Sequence, residues 1–182
     1  MKITGSVVAV FAAHRTAETA INRLAAAGFE MKSLSVVGRG YQAEETVIGF
    51  YGSGNSGKFW GVRGTFWGGL WALFLGGIFL TTPLLGHVVI LGYLAGAALS
   101  PLETPFIVAG LTRLGAALYA IGIPKENVLD YEAALRADGF LVMVHGTAAT
   151  MISARILLGK MIPLSLDMHV GGMRAELYAQ AG

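Results

Sequence analysis

A chain of 182 residues with 54% hydrophobic and 13% charged side chains departs from an ordinary water-soluble domain, which carries about 25% charged residues. Its net charge of +2 is too small to recruit nucleic acid, and its lack of cysteine excludes disulfides, thiol catalysis and thiolate metal sites. The length allows one domain, or one domain with an insertion.

Lys2 precedes a short apolar run, Ser6–Ala13, that meets His14-Arg15 at once. This reads as a strand and not an export signal, and the protein is expected to stay on the cytoplasmic side. Val7-Val8-Ala9-Val10-Phe11 is an unbroken strand-length run. Thr16 is the expected N-cap of a helix with Ile21, Leu24 and Ala25 on its apolar face, closed by Gly28. Ser33-Leu34-Ser35-Val36 then alternates as a half-exposed strand does. The unit is β-α-β.

Gly52–Lys58 follows a strand-like Thr46–Tyr51 and has the spacing of a phosphate-binding loop through its lysine. The next residue is Phe59, where a hydroxyl is needed for magnesium, so the segment reads as a flexible connector. The 61 residues from 64 to 124 then hold only two charged side chains, Glu103 and Arg113. Pro83 divides the run into Gly64–Thr82 and Leu84–Leu102, each long enough as a helix to match a bilayer's hydrocarbon core. The expected element is a hydrophobic helical hairpin. Gly64, Gly68, Ala72 and Gly76 form one small-residue stripe, and Gly92, Gly96 and Ser100 a second, a glycine zipper through which hairpins pack together. Lys58, Trp60, Arg63 and Trp67 at the entry suit a membrane interface. Glu103, flanked by Pro101 and Pro105, and Arg113 are the charges at membrane depth or at an interface between segments.

Pro124–Asp138 is an expected helix with Val128, Tyr131 and Leu135 inward. Phe140–Val144 is a second continuous apolar strand. Gly146-Thr147 leads into a helix with Ala148, Ile152 and Ile156 on its inner face, closed by Gly159. Leu164, Leu166, Met168 and Val170 alternate with Ser165, Asp167 and His169 as an edge strand. This is β-α-β again.

Two such units define an α+β, ferredoxin-like domain split between residues 1–55 and 123–172, with 56–122 inserted and 173–182 as a tail. Continuous apolar central strands imply cover on both sheet faces, by the hairpin or by a second subunit. With residues 7–11 and 140–144 as parallel neighbours, His14 and His145 fall at one end, a candidate anion or metal site. No nucleophile–base–acid set is visible, so no catalytic, cofactor-binding or metal residue is assigned and no enzyme is expected.

The stretches VVAVFAAHRTAETAINRLAAAGFEMKSLSVVGRGY, FWGGLWALFLGG and LGAALYAIGIPKENVLDYEAALRADGFLVMVHGTA resemble a bacterial family of general-stress and heat-induced membrane proteins of unknown function. The likeness spans roughly residues 6–158. It implies a bacterial cytoplasmic domain with an inserted hydrophobic segment and a link to stress, and it supplies no functional residues. The expected role is a non-enzymatic, membrane-bound scaffold or self-assembling homo-oligomer, whose partners are itself and lipid or another apolar phase. It sits on the cytoplasmic side of the inner membrane, or forms a cytoplasmic particle with buried hairpins. The alternatives are a small channel using Glu103 and Arg113, or a sensor at His14 and His145. Deleting residues 64–122 is expected to leave a smaller soluble species.

Overall fold

The computed structural model describes residues 5–39, 74, 77–82, 85–98 and 112–170. Its strands are β1 (Gly5–Phe11), β2 (Leu34–Arg39), β3 (Gly77–Thr82), β4 (Gly86–Gly92), β5 (Phe140–Gly146) and β6 (Ser165–Val170). Its helices are α1 (His14–Ala26), α2 (Tyr93–Ala98), α3 (Arg113–Ala120), α4 (Lys125–Arg136) and α5 (Ala148–Gly159). The strands form one antiparallel sheet in the order β3-β4-β2-β5-β1-β6.

Both β-α-β units are present, and they interlock. β1 and β2 run parallel with β5 between them, while β5 and β6 run parallel with β1 between them. Residues 7–11 and 140–144 are therefore neighbours as expected, but antiparallel, with Val7 opposite Val144 and Phe11 opposite Phe140. The reason is geometric. Each crossover sets its two strands one place apart, and the vacant place takes a strand of the other unit running the opposite way.

The expected helical hairpin is corrected where it is described. Residues 77–82 and 86–92 are paired strands joined across Pro83, with Ile78 opposite Ile90, and they widen the sheet beyond β2. A short apolar run does not separate strand from helix by periodicity. The β-branched residues Ile78, Thr81, Thr82, Val88, Val89 and Ile90, on either side of Pro83 in the sequence, favour strands. Among the described residues no helix is long and apolar enough to cross a membrane.

Strand alternation sends side chains to two cores. Val7, Ala9 and Phe11 join Val142 and Val144 beneath α1 and α5. Val8, Val10, Leu141 and Met143 meet Leu85, Leu94, Leu114, Leu118, Val128 and Leu135 on the other face. That second layer comes from the insertion and from α4, so the chain covers its own central strands. Val128, Tyr131 and Leu135 are buried as expected. In α5 the inward residues are Met151, Ala154 and Leu158, whereas Ile152 and Ile156 stand 55% and 60% exposed, opposite to the expectation. Thr147 caps this helix by accepting the Thr150 N–H. α1 starts at His14 after Ala13, ahead of the expected cap at Thr16.

Candidate functional site

On the face turned toward α4, the strand registers bring polar residues into a row. Ser6 lies opposite both His169 of β6 and His145 of β5, and Ser35 stands on the next strand beyond. The His145 ring is fully buried and held at both nitrogens, by Ser6 Oγ at 2.8 Å from Nδ1 and by Ser35 Oγ at 2.8 Å from Nε2. The Leu94 N–H donates to Ser35 Oγ at 2.9 Å, and Tyr93 packs its ring 4.5 Å from the imidazole. The start of α2 thus closes the row from above. Burial lowers the His145 pKa to about 3, since the charged ring would lose its hydration and both its partners are neutral hydroxyls. A neutral ring satisfies one hydroxyl as donor and the other as acceptor.

Beside it, the Tyr131 hydroxyl of α4 donates to Asp167 Oδ2 at 3.0 Å and lies 2.7 Å from His169 Nε2. A phenol has one proton, so His169 donates its Nε2–H to the Tyr131 oxygen. Burial, reinforced by the Asp167 carboxylate, holds the Tyr131 phenol well above its ordinary range. Burial also lowers the His169 pKa, against the pull of Asp167. Nearby, the Thr112 hydroxyl donates to Glu132 Oε1 at 2.6 Å and accepts the Gly115 N–H at 2.9 Å, so one threonine caps α3 and pairs a buried carboxylate.

His14 and His145 are not brought together. His14 follows the Phe11 end of β1, and His145 lies level with Ser6 at the other end. At ~3.3 Å per residue, five residues of strand separate the two levels by about 17 Å. The shared site depended on parallel strands, and the antiparallel pairing removes it. No group of three or more metal-ligating side chains occurs among the described residues. Of the small-residue stripes, Gly92 ends β4 with φ +87°, where a Cβ would strike the Leu34 carbonyl, and Gly96 lies exposed on α2 with open space around it. Arg113 opens α3. Gly64, Gly68, Ala72, Gly76, Ser100, Glu103, Lys58, Trp60, Arg63 and Trp67 lie outside the described residues, as does the glycine-rich Gly52–Lys58 segment.

Sequence reasoning missed the Tyr131–Asp167–His169 and Thr112–Glu132 pairings. The alternation in β6 locates Asp167 and His169 on one face but names no partner for them, because the sequence does not say which sheet face the helix at 124–138 covers. Glu132 follows Val128 by four residues, which places it on the same inward stripe. No protein-family model matches this chain, and no similar curated protein or solved structure was found.

Proposed function

We propose that this chain is a non-enzymatic, self-associating scaffold built on a ferredoxin-like domain whose sheet is extended by the β3–β4 pair. The order β2-β5-β1-β6, with its two interlocked crossovers, supports the ferredoxin-like reading. Against catalysis stands the enclosure of the polar row. Ser6, Ser35 and His145 are at most 1% exposed and satisfy one another, so a substrate has no approach to the serine hydroxyls.

The observation that carries self-association is the apolar surface at the β6 end of the sheet. Ile162, Leu164 and Val170 are 88%, 70% and 70% exposed, on the strand and turn that follow α5 with its outward Ile152 and Ile156. Large side chains grouped on an edge strand and its neighbouring helix mark a contact surface. A cytoplasmic-side membrane attachment rests on the uncharged residues 64–73 and 99–102, and the link to stress rests on the sequence resemblance alone. Sedimentation of the detergent-free protein tests the main reading. A concentration-dependent oligomer is expected, and a monomer at high concentration overturns it.

A further inference from the structure

We propose that β6 pairs edge to edge with β6 of a second copy, antiparallel about a two-fold axis at Met168, so that Asp167 of each copy faces His169 of the other. The inference deepens the self-association proposed above and rests on it.

β6 ends the strand order, and among the described residues nothing pairs with its outer edge. Natural edges are protected by lysine, proline or a bulge. Ser165–Val170 contains neither lysine nor proline, and it pairs with β1 in unbroken register. The occupant follows from the alternation of its side chains. Ser165, Asp167 and His169 point to the face of α4, while Leu166 and Met168 pack toward the core under α1 and α5.

For the two sheets to join with matching faces, opposed residues must share a face, so the axis passes through a residue and not between two. Only two such axes engage five of the six residues of the strand. An axis at Asp167 sets carboxylate against carboxylate. An axis at Met168 sets carboxylate against imidazole twice, with Leu166 opposite Val170 of the partner copy on the apolar face. Cross-strand pairs of opposite character stabilise a sheet and like charges oppose it, so the register at Met168 is selected. The internal bonds leave it available. Asp167 uses Oδ2 and His169 gives its Nε2–H toward Tyr131, which leaves Asp167 Oδ1 to accept across the junction, and His169 Nδ1 donates to it when the ring is protonated, the form that the partner copy's carboxylate favours. Val170, exposed in the single chain, gains the partner copy's Leu166 as an apolar neighbour.

The chain has no cysteine, so a single introduced thiol reads the register directly. Directly opposed residues in antiparallel strands have Cα atoms about 4.5–5.5 Å apart, within the range that a disulfide spans. Met168→Cys is expected to oxidise to a linked dimer, while Val170→Cys, displaced from its own copy, stays unlinked. A parent protein that sediments as a monomer overturns self-association and this register together. An oligomeric parent in which Met168→Cys stays unlinked, or Val170→Cys links instead, overturns the register and leaves self-association standing. If Met168→Cys does not fold, the charges supply the second reading. His169→Asp sets carboxylates opposite one another and is expected to weaken the dimer about tenfold. Combining it with Asp167→His restores the pairing, and a double variant no tighter than the single one overturns the proposal.

Discussion

At the scale of single residues, His145 has the most to say about the polar row. Its pKa falls to about 3 through burial, against an ordinary value near 6.5 in the unfolded chain. Between those values the unfolded state binds the extra proton and the folded state does not. Stability from this group is therefore fully present above about pH 6.5 and declines as pH falls toward 3, with a limiting slope of roughly 1.4 kcal/mol per pH unit. Denaturant unfolding between pH 7 and 4 is expected to show this loss, and His145→Gln to flatten part of it at a cost in stability at pH 7. A His145 ring that titrates near pH 6 by NMR, with the protein folded, would contradict the enclosed neutral site. The sequence made His145 visible as a polar residue ending an apolar strand, but not its partners. Ser6 and Ser35 lie on strands far from it in the chain, and only the registers bring them together. The pairing with His14 failed for the same reason, because strand direction is a property of how two halves interlock and leaves no local mark in either.

Among the elements, those with a strong local pattern were legible and those within the uncharged run were not. β1, β2, α4, β5 and β6 fall on the segments where continuous runs, alternation or a proline start locate them. α5 was found but turned, since Ile152 and Ile156 give as good an apolar stripe as Met151, Ala154 and Leu158, and only packing against β1 and β5 decides. In the insertion nearly every residue is apolar, so periodicity has nothing to contrast, and strands passed for helices. The glycines separate the two readings. Gly92→Ala places a side chain at φ +87° and against the Leu34 carbonyl, so a loss of about 2 kcal/mol or more is expected. Gly96→Ala meets open space in α2 and is expected to gain about 0.5–1 kcal/mol, because glycine weakens a helix interior. Thermal unfolding of the two variants tests this. Equal effects from both would favour one continuous helical stripe over the strand-to-helix junction. Since a Cβ at Gly96 meets open space within the single chain, lost assembly in a Gly96→Leu variant that keeps its thermal stability reports a contact between copies.

At the scale of the whole molecule, the insertion changes meaning once its apolar residues are traced to their partners. As a hairpin facing lipid, residues 64–122 are dispensable to the domain, and their removal leaves a soluble remainder. In the fold, Leu80, Leu85, Val88, Ile90, Leu94, Leu114 and Leu118 share one core with Val8, Val10, Val37, Leu141 and Met143. Each such core side chain is worth about 1.5–3 kcal/mol when fully buried. Deleting 64–122 removes β3, β4, α2 and α3 and, among the described elements, leaves α4 alone to cover that face. The expected product is therefore insoluble or aggregated, even with a glycine-serine linker joining the flanks. Recovering it as a well-dispersed, cooperatively unfolding monomer would show that the insertion is not half of the core, and would return the lipid-facing hairpin to first place. The intact chain supplies the complementary measurement. The described part of the insertion, Phe74 included, finds its apolar partners within the protein, so the proposed membrane contact rests on the lack of charge in residues 64–73 and 99–102. Extraction without detergent, followed by mass and phospholipid analysis, is expected to yield an oligomer whose phospholipid is lost when these two stretches carry lysines. Co-purifying phospholipid that persists when these two stretches carry lysines would place the lipid on the folded domain instead, and the exposed Ile162, Leu164 and Val170 at the β6 edge would then be a membrane surface and not a junction between copies.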